Sequence, residues 1–501
     1  MEIKLLILIF YFGILFTIGW WSSKKIKDIK DYYVGGKKLG YWIVAFSTRA
    51  TGESAWLLLG LTGLGAIAGI SAFWVVLGEV LGVSIAWIFM AKRFKRITDK
   101  YNSITIPDYL VSRFKSKSNT IRILSSLFLS FFIIVYVSAQ IDATGSAFEA
   151  FLGWNYFFGA IAGYSIVLLY ILFGGFIAVA WSDLIQGSLM FFALCLLPII
   201  GFMSYEISLW EKIESIDSGL VSMWGSGGFN SINLATIIGY LCIGLAFLGS
   251  PQIFVRFMSI KNENQINKGK WVAILFTLIT DSAAVMIGIL ARYFFTDAGS
   301  DAEAILGNNG QNSLILMVEY LLPVVFVGIY MAVVLAAIMS TVDSLLVLAS
   351  SAIVRDIYQK TLNPTIQIKN LTRISRISTF IMASIALIVA ILVAISTPER
   401  TIFWFVLVGF HGIAASFCPT IILSLFWKGF TEKGAIASMI VGFLGVLFFK
   451  FIMPTVEHIG IYFDKIAELA PALLLGLITG YIVSKIYPDK ELEDEFLKIS
   501  K

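Results

Sequence analysis

The chain has 501 residues, 58% hydrophobic and 14% charged, with a mean hydropathy of +0.87. So much apolar surface excludes a soluble globular protein and indicates a polytopic membrane protein. The net charge of +5 reflects loop lysines and arginines and gives no nucleic-acid surface; three cysteines and two distant histidines, His411 and His458, suggest neither a disulfide framework nor a zinc or proton-relay enzyme.

About thirteen apolar spans are expected, at 3–22, 41–70, 73–92, 121–150, 155–175, 178–204, 233–258, 271–294, 313–351, 372–396, 401–427, 434–454 and 466–486. The first lacks a basic flank before it and a small-residue cleavage site, and reads as a retained helix. Lysines crowd Ser22 to Leu39. Lys92, Arg93, Lys95, Arg96 and Lys100 follow the third span, and Arg355, Lys360, Lys369, Arg373 and Arg376 follow the ninth. The loop Thr296 to Asn312 has acids and no Lys or Arg. The positive-inside rule then puts the N-terminus outside and the C-terminus inside, on the cytoplasmic face. The expected fold is all-α, a single transmembrane domain over 1–501. The tail 487–501 is charged and reads as a solvated cytoplasmic end.

The second span holds Arg49 and Glu53 four residues apart, with Thr51-Gly52 between them favouring a broken helix. Ionised groups in hydrocarbon cost a few kcal/mol each and mark pathways or sites, and broken backbone at that depth lines cavities. A structural ion pair between packed helices is the plainer alternative. Glu79, Asp142 and Asp281, in the third, fourth and eighth spans, join Glu53 in outnumbering Arg49, so a bound cation or protonation is needed for balance. Asp183 opens the sixth span, where an N-cap role competes with a site role. The seventh span is interrupted through Ile243, Phe247, Gly249 and Pro251, and paired interruptions are the best sequence pointer to a transporter binding site. In the ninth, Ala337, Ser340, Thr341 and Ser344 share one helical face beside Asp343, a set of oxygens suited to a hard cation such as Na⁺.

Six blocks carry a family resemblance: Asp31 to Gly40, Trp56 to Gly63, Thr105 to Tyr109, Gly174 to Met190, Pro251 to Met258 and Leu335 to Tyr358. In this order they resemble the sodium:solute symporter family, nearest its sodium/proline branch. The resemblance implies a five-plus-five inverted-repeat core with discontinuous helices over 41–430. An extra helix and loop precede it at 1–40, and two helices follow at 431–486. It implies a Na⁺ site from the carbonyls of Ala50, Glu53 and Ala337 and the hydroxyls of Ser340 and Thr341, and a candidate second one at Asp183, Asp343 and Ser344. Proline-transporting members have an aspartate where this chain has Gly52, and Trp and Tyr where it has Ile243 and Phe247; Glu79 falls close to a sugar-binding glutamate of galactose-transporting members.

The expected function is Na⁺-coupled import of a small organic solute, with no enzyme activity, protein partner or nucleic acid, and membrane lipid as surroundings. The candidate solute contacts are Arg49, Ser54, Ala55, Glu79, Ile243, Phe247 and Pro251. An amino acid such as proline, or a related zwitterion, suits a carboxylate on Arg49 and an ammonium on Glu53 or Glu79. A sugar or sugar acid is the rival cargo, and a channel or a membrane sensor the remoter alternatives.

Overall fold

The computed structural model describes residues 2–204, 208–366, 368–397 and 401–500. Met1, Lys501 and the Lys369 side chain, used in the sequence reading, lie outside the described residues. Among the described residues the structure is helical throughout, and extended backbone pairs at a single bridge, Leu39 with Ile260. Eleven of the described helices are long and apolar enough to cross a bilayer, with Tyr156–Leu172 a shorter apolar one.

Helix α1 (Glu2–Ser23) lies at the periphery. The next run, Tyr41–Lys100, doubles back: α2 (Tyr41–Ala55) and α3 (Thr62–Ala68) lead to a turn at Gly69, then α4 (Phe73–Ile85) and α5 (Ala91–Lys100) return. Gly69 has φ +60° and abuts the backbone of Leu220, so the reversal requires a residue without Cβ. A short α6 (Ile106–Arg113) precedes α7 (Thr120–Leu152). The block Thr105 to Tyr109 is explained locally: Thr105 caps α6 by accepting from the Asp108 amide at 3.0 Å, and Pro107 sits in the first turn. Helix α8 (Tyr156–Ser204) bends at Gly175, with φ +51°.

The second half brings α9 (Ser231–Ile243), α10 (Pro251–Ser259) and α11 (Glu263–Phe295), then α12 (Ser313–Leu321) and α13 (Val324–Ser350). The expected span 313–351 is therefore two helices. Pro323 supplies no N–H, and Leu322 before it is extended (φ −119°, ψ 144°), which ends α12. Helix α13 is buried along most of its length and packs on α1, α2, α7 and α8. After α14 (Ile368–Ser396), α15 (Ile402–Phe426) packs on α7, while α16 (Glu432–Phe451) and α17 (Leu469–Ile486) pair with each other at the edge.

The tail is not merely solvated. It forms α18 (Lys490–Ser500), with Leu492 and Phe496 buried four residues apart on one face. The Phe496 ring lies under the guanidinium groups of Arg93 and Arg113, at 4.8 and 5.0 Å, and Glu495 accepts from the Tyr101 hydroxyl at 2.6 Å and pairs with Lys115. Burial pushes the Glu495 carboxyl up, but the hydrogen bonds from Lys115 and Tyr101 and the charges of Lys115 and Lys100 outweigh it and hold the group below its ordinary value.

Candidate transport site

Two helix interruptions meet inside the bundle. The first lies at Ser54, two residues beyond the expected Thr51-Gly52. Ser54 adopts φ +47°, ψ −163°, a conformation costing about 1–3 kcal/mol for a non-glycine residue. Thr51 and Gly52 stay helical; Gly52 supplies space, since a Cβ there would lie 2.9 Å from Phe247 Cε1. The freed groups find partners: Ala55 N–H donates to Gln140 Oε1 at 3.2 Å, and the Trp56 indole N–H to Gly52 O at 3.3 Å. The second interruption follows the sequence reading. Helix α9 ends at Ile243, tightens over Gly244–Leu248, and restarts as α10 with Pro251 in its first turn. The tight segment sits against α4 with backbones in contact, because a Cβ on Gly244 would meet Gly78 O at 1.8 Å and one on Gly82 would meet Gly244 O at 1.9 Å.

Helix α13 meets the first interrupted helix through hydroxyls. Ser340 Oγ donates to the carbonyls of Ala50 and Ala337, both at 3.0 Å, and Thr341 Oγ1 lies 3.2 Å from Thr51 O and 3.3 Å from Ala337 O. This packs three carbonyls and two hydroxyls, all from buried residues, into one corner, the donor set a hard monovalent cation wants. The Glu53 carbonyl accepts the Trp56 N–H with one of its two lone pairs, and Thr51 O lies beside Thr341 Oγ1.

Next to this corner lies a cation the sequence reading did not single out. Arg256, on α10, donates from Nε to Ser47 Oγ (2.8 Å), from Nη1 to Gln252 O (2.6 Å), and from Nη2 to Thr51 Oγ1 (2.5 Å), Ser344 Oγ (2.5 Å) and Asp183 Oδ2 (3.0 Å). Its position inside the apolar span 233–258 was the available signal. Asp183 is therefore no N-cap: it lies well inside α8, fully buried, and also accepts from Ser47 Oγ at 2.5 Å. Asp343 is held by hydroxyls, those of Tyr170 (3.0 Å), Ser344 (3.2 Å) and Ser182 (3.5 Å).

The second charged cluster surrounds Arg49. Its Nη2 lies 2.7 Å from Glu53 Oε1 and 3.3 Å from Glu79 Oε2, and its guanidinium carbon sits 4.9 Å above the Phe247 ring. Thr280 Oγ1 bridges Glu53 (3.3 Å) and Asp281 (3.2 Å), bringing the third acid to the group. All are buried, and among the described residues Arg49 Nη1, Glu53 Oε2, Glu79 Oε1 and Asp281 Oδ2 have no hydrogen-bond partner. Ser54 and Ala55 form the adjacent break, and Ile243 and Pro251 flank the other one. Asp142 does not join; it accepts from Tyr156 Oη at 2.5 Å.

A model of the sodium:solute symporter family matches residues 32–442. This chain belongs to that family. The osmoregulated proline transporter OpuE of Bacillus subtilis is 33% identical over 493 residues, 97% of this chain and 95% of the relative. The sodium/proline symporter of Escherichia coli K12 is 31% identical, covering 95% of this chain and 91% of the relative. Among solved structures, a substrate-bound, outward-open Na⁺-coupled sialic acid symporter superposes with a TM-score of 0.78 at 19% identity, covering 97% of this chain and 99% of the other. A nucleobase-cation-symport-1 transporter in a closed conformation gives 0.53 at 12%, covering 93% and 98%. The family member described here is accordingly a multi-pass membrane transporter, not an enzyme, and Na⁺ is its coupling ion.

Proposed function

We propose that this symporter imports a small amino acid such as proline, or a related zwitterion, with Na⁺ bound where α13 meets the first interrupted helix. The observation that carries the reading is the convergence of the Ser340 and Thr341 hydroxyls on the carbonyls of Ala50, Thr51 and Ala337. A cation placed there draws α2 and α13 together and favours whichever state keeps them in register, so its binding shifts the conformational equilibrium. The solute seat lies at the two interruptions, among Arg49, Glu53, Glu79 and Phe247. There the unpartnered Arg49 Nη1 offers a donor for a carboxylate and the acids offer acceptors for an ammonium. Relatives named as proline transporters support this cargo class.

The same reading puts the protein in a bacterial-type plasma membrane, N-terminus outside and C-terminus cytoplasmic. Its transport core spans 41–430, flanked by the helices at 1–40 and 431–486 and the tail 487–501. Purified protein in liposomes, given an inward sodium gradient, is expected to accumulate labelled proline or another small amino acid. Accumulation of hexoses or sugar acids with no amino acid would replace the cargo, and no gradient-driven uptake of any compound would overturn the whole proposal.

A further inference from the structure

Arg256 occupies the middle of the oxygens that a second sodium ion would need. One guanidinium nitrogen, Nη2, touches Thr51 Oγ1, Ser344 Oγ and Asp183 Oδ2 at 2.5–3.0 Å, and the other two nitrogens are held by Ser47 and the Gln252 carbonyl. An ion coordinated by Asp183, Thr51 and Ser344 would have to displace this nitrogen. That displacement strands a buried guanidinium, which is costly because it leaves a charge without its partners. We propose that Arg256 is a tethered cation that fills the second seat, so that this chain binds one Na⁺ rather than two. The inference rests on the sodium-symport reading and deepens it.

The chemistry fits a permanent occupant. Arginine stays protonated, spreads its charge over a planar fork and makes several charge-assisted hydrogen bonds at once, which an ion that binds and leaves each cycle does not. Asp343, the other acid of the corner, is held by the hydroxyls of Tyr170, Ser182 and Ser344. Of the two corner carboxylates, Asp183 keeps one oxygen, Oδ1, without a partner among the described residues. The tether also has a consequence for coupling. Arg256 sits on α10, beyond the second interruption, yet grips Thr51, whose carbonyl belongs to the sodium corner through Thr341. Movement of α10 therefore pulls directly on a sodium-corner residue.

The test counts bound sodium on the purified full-length protein, using radioactive Na⁺ with choline as the competing inert cation. Wild type is expected to bind about one ion per chain. Arg256→Gln frees the seat and is expected to bind about two; adding Asp183→Asn to it returns the count to about one, and Arg256→Lys keeps it at about one, each count mirrored in the slope of melting stability against the logarithm of sodium concentration. Two ions on the wild type, or one ion on a folded Arg256→Gln protein, overturns the proposal while leaving sodium symport intact. No sodium binding at all overturns the symport reading instead. Should Arg256→Gln not fold, Asp183→Asn alone decides. A sodium half-saturation raised less than about fivefold over wild type supports the tether, and a larger rise shows that Asp183 ligates sodium and overturns it.

Discussion

Two buried arginines stand at the two interruptions, and their surroundings differ in kind. Arg256 donates to five acceptors, four of them neutral oxygens, and each of its three nitrogens is engaged. Arg49 has two acids within salt-bridge reach and a third held near by Thr280, yet among the described residues one of its nitrogens and three acid oxygens of the group lack partners. An unmade buried hydrogen bond costs about 1–3 kcal/mol, so a guanidinium left with a nitrogen unmet has room for something that arrives, whereas one with all three nitrogens met is built to stay. The contrast separates a cargo seat from a fixed counter-charge, although both are arginines at membrane depth.

The largest effect that would break this comparison is expected from Arg49→Met. Removing the cation strands Glu53 and Glu79, so the protein should lose about 3–5 kcal/mol of stability and all uptake, read by thermal melts and liposome flux. Unchanged uptake would show that the Arg49 cluster is not the cargo seat. Ser340→Ala should sharpen the division: half-saturating sodium rises about tenfold, the equivalent of one lost ligand worth ~1.4 kcal/mol, with the solute half-saturation at saturating sodium little changed. Equal losses for both ligands would show that the two corners are not separable by mutation. Gly52→Ala pushes on Phe247 and should raise the solute half-saturation about tenfold through an overpacking cost of ~1–3 kcal/mol, relieved by adding Phe247→Leu. The smallest effect belongs to the tail, far from both corners. Phe496→Ala removes the ring beneath Arg93 and Arg113, worth about 1 kcal/mol in stability, with sodium dependence unmoved.

Much of this was written locally. The apolar runs announce helices because a bilayer forces every span to satisfy its own backbone, and the Gly249-Ser250-Pro251 break is read from residues that cannot continue a helix. The face of Ala337, Ser340 and Thr341 follows from helical spacing alone. The first break was displaced to Ser54 because a serine gives no advance sign of a left-handed φ; packing imposes it, with Gln140 from α7 receiving the freed Ala55 N–H.

A helical membrane protein with charge buried beside two interruptions is legible from the residues alone, because hydrophobicity, glycine and proline act within a few residues of themselves. Which charges meet was settled by the packing of helices distant in the chain. Arg256 reaches Ser47, Asp183 and Ser344 across 209, 73 and 88 positions of chain, and Arg49 reaches Glu79 across 30. Such partnerships are fixed by how helices cross, which no local pattern encodes, and they make one arginine a resident counter-ion and leave the other with capacity to spare.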